Sequence, residues 1–173
     1  IGIGCVADIQ DVFDSASQDL TYLTASAEYQ PQLLNLLALS GRSSAMMNSV
    51  SGYIDQRMLD AGLFSQVTLV TLDNIVRLSS PAGAADAQNQ LRGTPVSQVT
   101  ETAFELGEQH RTVAYTDRDG ELVIAMMRFV YDGDNDAAGY VVGFLNYEDQ
   151  ILEVLREETE FIAQPRSYLA TVS

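Results

Sequence analysis

Three aspartates alternate in the stretch DGDNDAAG, at Asp132, Asp134 and Asp136, the spacing with which an EF-hand loop begins its set of calcium oxygens. The likeness stops there. No glutamate stands at the twelfth position and the flanking residues carry no helical pattern, so the stretch reads as a solvated hairpin turn. His110 is the sole histidine and Cys5 the sole cysteine, which excludes a His-rich metal site, a multi-cysteine zinc site and an internal disulfide. No glycine-rich phosphate loop, nucleophile elbow or His-Glu pair at zinc spacing occurs. Ser/His/Asp chemistry would need a serine that nothing places beside His110, which reads as a strand-end residue. Catalysis is the weaker expectation, and no cofactor is implied.

The elements that would position any site belong to a chain of 173 residues, long enough for one well-buried core. With 46% hydrophobic and 19% charged residues it is globular and not disordered. The 24 acids against 9 bases, all of them arginine, give a net charge of −15. Such a surface repels nucleic acid and anionic headgroups. It suits a salty or extracytoplasmic setting, and a compositional bias of the source genome accounts for the missing lysine equally well. No apolar run approaches the roughly 20 residues that span a bilayer. IGIGC at the start fits the tail of a trimmed signal or membrane helix, or simply a frayed start.

Residues 8–27 place Ile9, Phe13, Ala16, Leu20, Leu23 and Ala27 at spacings of four and three, the seam of an amphipathic helix that Pro31 interrupts. QLLNLLALSG continues it briefly to Gly41. SSAMMNSVSGYIDQRMLDAG predicts a further helix, capped at Ser43 or Ser44 and ended by Gly62, with Met47, Val50, Ile54, Met58 and Ala61 as its buried stripe. From Phe64 the period becomes strand-like. Strands are expected at 66–72 and 75–78 around a turn at Asp73-Asn74, then at 110–116, 122–131 and 140–147. Between the second and third lies a long polar connection with Pro81 and Pro95, read as one or two short helices forming a lid or binding loop. YEDQILEVLREE closes the chain as a helix.

This order of elements resembles the Cache family, the PAS-like extracytoplasmic sensor domains of bacterial and archaeal receptors. The matching pieces are LFSQVTLVTLDNIVRLSS, similar to the family's first hairpin, and AMMRFVYDGDNDAAGYVVGFLNYED, similar to its closing hairpin, within a match over residues 8–158. Asn74 stands near where the family commonly has glycine, and Arg92 precedes GTP where the amino-acid-binding subgroup has aromatics. The resemblance implies an α+β fold: a long N-terminal helix and short helices packed on one face of a five-stranded antiparallel PAS-like sheet. A small-molecule pocket is implied on the other face, roofed by the connection between the second and third strands.

Alternation along the last strand divides Tyr140, Val142, Phe144, Asn146 and Glu148 from Val141, Gly143, Leu145 and Tyr147. Gly143 suits close approach of a helix, which leaves Phe144, Asn146 and Glu148 on the pocket face. The family often carries an acid near Glu148 that receives a ligand amine; a plain helix N-terminal acid is the other reading. Arg128 shares its face with Ile124, Met126 and Val130, and must find a carboxylate, a ligand or the solvent edge. In the pocket it would favour an anionic ligand. Tyr115 and Tyr131 either line the site or pack.

The resemblance thus implies an extracytoplasmic sensor that binds an amino acid, amine or carboxylate and meets the membrane only through flanking helices. The output domain would be a histidine kinase, chemoreceptor or diguanylate cyclase. Residues 1–62 form the helical segment, 63–158 the sensor core, and 159–173 lead to the membrane or a second module. The seam from Ile9 to Ala27 offers a homodimer contact or packs on the sheet. Two alternatives are a same-fold module that senses a periplasmic protein, and a small α+β hydrolase with His110 in a cleft.

Overall fold

The computed structural model describes residues 2–38, 43–60, 62–81, 83–91, 94–96, 109–117 and 119–145, with side chains from residue 10 onward except at 84 and 85. The elements are α1 (Gly2–Ala25), α2 (Gln30–Leu37), α3 (Ser44–Tyr53) continuing into a π-helical segment (Ile54–Leu59), β1 (Phe64–Thr71), β2 (Val76–Ser80), α4 (Ala84–Leu91), β3 (His110–Thr116), β4 (Leu122–Tyr131) and β5 (Ala137–Leu145). The five strands form one antiparallel sheet in the order β2-β1-β5-β4-β3. This is the α+β architecture expected. The predicted closing helix, and residues 159–173, lie outside the described residues.

From Phe13 to Leu23 the helical seam packs on the sheet. Ala16, Leu20 and Leu23 are buried with Leu33, Leu36, Val50, Ile54 and Met58 against Val67, Leu69, Met126, Val130, Val141 and Leu145. Each fully buried aliphatic side chain contributes about 1.5–3 kcal/mol. Ala27, expected on the seam, is exposed, because α1 ends at Ala25 and the chain turns at Ser26, whose Oγ accepts the Tyr29 amide at 3.1 Å. Pro31 therefore interrupts nothing. It lies in the first turn of α2, where its missing N–H would have had no helical partner. Ser43 caps α3 by accepting from Met46 N at 3.3 Å, as predicted. The one predicted helix splits where Asp60 N–H reaches back to Asp55 O, a five-residue bond that widens the coil.

All three hairpins close with one loop plan. At Thr71–Ile75, Asp117–Glu121 and Asp132–Asp136 the first and fifth residues pair N–H to C=O, at 2.9 Å in each case. The first residue's side-chain oxygen also accepts the fifth residue's amide, at 3.1, 2.9 and 3.0 Å. The fourth residue must be left-handed, and Asn74, Gly120 and Asn135 hold φ of 65, 81 and 63°. Asp132 thus serves its own turn, and among the described residues no group of acids, His and Cys is arranged to hold a metal ion.

Bulges re-aim side chains. Arg77 is skipped in the β1-β2 register, and its guanidinium donates to Leu36 O at 2.9 Å and to Ala38 O, satisfying carbonyls at the end of α2. Gly143 does face the helices, but what fills the space above it is the Phe64 ring of the neighbouring strand; it is Gly139 that a helix residue, Leu37, approaches. Among the described residues no helix is long and apolar enough to cross a membrane.

Candidate ligand-binding site

The sheet's second face carries Val70, Val76, Ala125, Met127, Phe129, Tyr140 and Val142, covered by Ala87 and Leu91 of α4 and by Val96. Helix α4 is fastened over it by Gln88. The side-chain amide accepts Val76 N–H at 2.7 Å and donates to Asn74 O at 2.8 Å, in the manner of one more residue on the edge of β2. Tyr140 Oη adds a bond to Asn74 Oδ1 at 2.7 Å. At this end the space under the connection is filled by side chains.

Toward the other end of the strands it opens. A cleft of about 580 Å³ lies between α4 with its continuation and the sheet, lined by Ser65, Gln66, Asn89, Gln90, Thr94, Pro95, Tyr115, Thr116, Asp117, Asp119, Val123 and Phe144. Of this lining, Gln66 is held from behind by a polar network. Gln66 Nε2 donates to Thr68 Oγ1 at 3.2 Å and to Ser79 Oγ at 3.4 Å, and the two hydroxyls lie 3.0 Å apart. Thr68 is fully buried and does not line the cleft, and these groups satisfy one another's hydrogen bonds. Tyr115 rises from β3 to Thr94, with which it shares a hydrogen bond. Burial, then the charge of Asp117, pushes its hydroxyl above the ordinary tyrosine range, so it stays a neutral donor and acceptor. Asp117 and Asp119 stand at the mouth. None of the described lining residues is basic.

Two of the expected site residues, Phe144 and Tyr115, meet in this cleft. Met126 and Arg128 do not. Met126 is opposite Gly143 and Arg128 opposite Val141, which puts both on the helical face, Met126 within its core. Arg128 is half-buried and lies opposite His110 of β3, which is exposed. Asn146 and Glu148 lie outside the described residues. Gln66, Asn89, Gln90 and the turn acids Asp117 and Asp119 were not anticipated. The alternation of Gln66 and Thr68 against Val67 and Leu69 was the available signal for Gln66.

No protein-family model matches the chain, and no curated protein matches it in sequence. Solved structures do. The periplasmic domain of Vibrio cholerae LuxQ is similar over 91% of this chain and 69% of its own, with TM-score 0.52 and 17% identity. The V. cholerae histidine kinase DctB sensor domain is similar over 83% of this chain and 52% of its own, with TM-score 0.53 and 13% identity. The ligand-binding domain of the Campylobacter jejuni chemoreceptor Tlp3, solved with L-norvaline, is similar over 87% and 56%, with TM-score 0.55 and 17% identity. The chain has the fold of these domains. It spans about half the length of the DctB and Tlp3 domains.

Proposed function

We propose that this chain is the extracytoplasmic ligand-sensing domain of a membrane receptor and has no catalytic role of its own. It takes a small polar molecule, neutral or bearing an amine, in the cleft between α4 and the sheet. The observation that carries the reading is the cleft itself: walls lined by the hydroxyls of Ser65, Thr94, Tyr115 and Thr116 and the amides of Gln66, Asn89 and Gln90, carboxylates at the mouth, and no cation among the described lining residues. A free carboxylate would meet like charge there, which turns the choice among amino acid, amine and carboxylate toward molecules that present an amine or hydroxyls. The Tlp3 domain, whose fold is similar, is described in complex with an amino acid, L-norvaline. Ligand binding would act on the rest of the receptor by favouring one of two arrangements of the helical layer.

Dye-monitored thermal unfolding against amines, amino acids, sugars and carboxylates tests this. A ligand at about 100 times its dissociation constant adds about 2.7 kcal/mol of stability. Tyr115→Phe should weaken such a ligand by about tenfold, the loss of one hydrogen bond at a half-buried position. Stabilisation by carboxylates alone, or by nothing in the panel, would sink the reading.

A further inference from the structure

On the opposite side of the sheet, where α1, the α1-α2 turn and α3 meet, lies a second cavity of about 500 Å³ lined by Gln18, Asp19, Tyr22, Glu28, Tyr29, Tyr53 and Arg57. Three tyrosine rings form one wall, with centroids 4.7 Å apart for Tyr29-Tyr53, 5.4 Å for Tyr22-Tyr53 and 5.8 Å for Tyr22-Tyr29. Glu28 accepts the Tyr22 hydroxyl at 2.9 Å, and the Tyr53 hydroxyl donates to Asp19 O at 3.3 Å. Arg57, four residues on from Tyr53 and within the π-helical segment, lines the same space. Coils widened in this way recur at functional sites.

The charges in this cavity are oddly arranged. Asp19 and Arg57 sense each other, yet among the described residues no ion pair within contact distance joins them. Burial holds the Asp19 carboxyl above the usual carboxylate range despite the guanidinium. Two carboxylates against one guanidinium favour a cation over an anion here, and a bare cation would still leave Arg57 without an acceptor among the described residues. An apolar molecule would strip water from all three. One kind of occupant satisfies every wall: a molecule that carries both charges.

We propose that this cavity is a second binding site and that it takes a small zwitterion, its ammonium against the tyrosine rings between Asp19 and Glu28 and its carboxylate on Arg57. Ammonium groups are attracted to the faces of such rings, and a guanidinium fork matches a carboxylate. The site is built on α1 and α3 and does not depend on the cleft.

Isothermal titration with trimethylglycine and L-leucine as zwitterions, and with tetramethylammonium and acetate as single charges, tests it. Saturable binding of a zwitterion is expected, tighter than that of either single-charge probe. Arg57→Gln and Tyr22→Ala should each weaken it at least tenfold; Arg57→Gln, at an exposed position, should leave the unfolding midpoint unchanged, whereas Tyr22→Ala, which gives up two ring contacts and a hydrogen bond, should lower it. Three results would overturn the proposal: no zwitterion binding tighter than about 1 mM, tetramethylammonium binding as tightly as trimethylglycine, or binding that survives both variants and is lost in Tyr115→Phe.

Discussion

A methyl group added at Gly143 would fall inside the Phe64 ring, which is itself fixed in the helical core. Gly143→Ala should therefore cost about 1–3 kcal/mol in denaturant unfolding, and Phe64→Leu in the same chain should recover part of it; full stability in the single variant would contradict the packing described. Tyr53 gives a titration to follow. Burial, then the charges of Asp19, Tyr22 and Tyr29, push its hydroxyl up to about 12 against the pull of Arg57. The folded chain keeps a proton that the unfolded chain loses near pH 10, so this contribution is complete below pH 10 and declines toward about 12. Ultraviolet titration should show a phenol ionising later than the rest, absent in Tyr53→Phe. At this scale the sequence was legible where a position has one meaning: Gly143 had to face packing, and Phe144 the opposite side. It was illegible for Met126 and Arg128 because β4 is apolar on both faces, and alternation without contrast gives parity but no direction. Only pairing with β5 assigns the faces.

The roof of the cleft depends on Gln88, which supplies the edge of β2 with an acceptor and a donor. Gln88→Ala should expose the Val76 amide to exchange at least tenfold faster, with smaller changes at the amides of β5; unchanged Val76 protection would mean that α4 is held by its apolar contacts alone. The strands were readable to within two residues at most described ends, since Gln66–Leu69 alternates and the hairpin turns carry asparagine or glycine where a left-handed residue is required. The helices were readable as apolar stripes but not in their junctions. Whether Pro31 breaks a helix or opens one depends on where α1 stops, and that is decided by Ser26 taking the Tyr29 amide, a local bond with no periodic signature. The π-helical widening at Ile54–Leu59 is equally silent in a stripe that stays in phase through Val50, Ile54 and Met58.

Across the whole molecule, 24 acids on 173 residues repel one another in the compact state. Raising ionic strength should raise the unfolding temperature, because screening within roughly 8–10 Å relieves that repulsion; a midpoint that falls with salt would show that specific ion pairs outweigh it. The strand order has its own consequence. β5, the last of the described strands in the chain, occupies the centre of the sheet between β1 and β4, so neither of these neighbours can complete its pairing until the chain has been synthesised nearly to Leu145. During synthesis β1-β2 and β3-β4 wait as two separate ribbons, each with an open edge facing the gap. Their closure is a single late event that joins segments about 75 residues apart, such as Thr68 and Val142. A ribosome stalled before β5 emerges would hold two halves of a sheet and no domain.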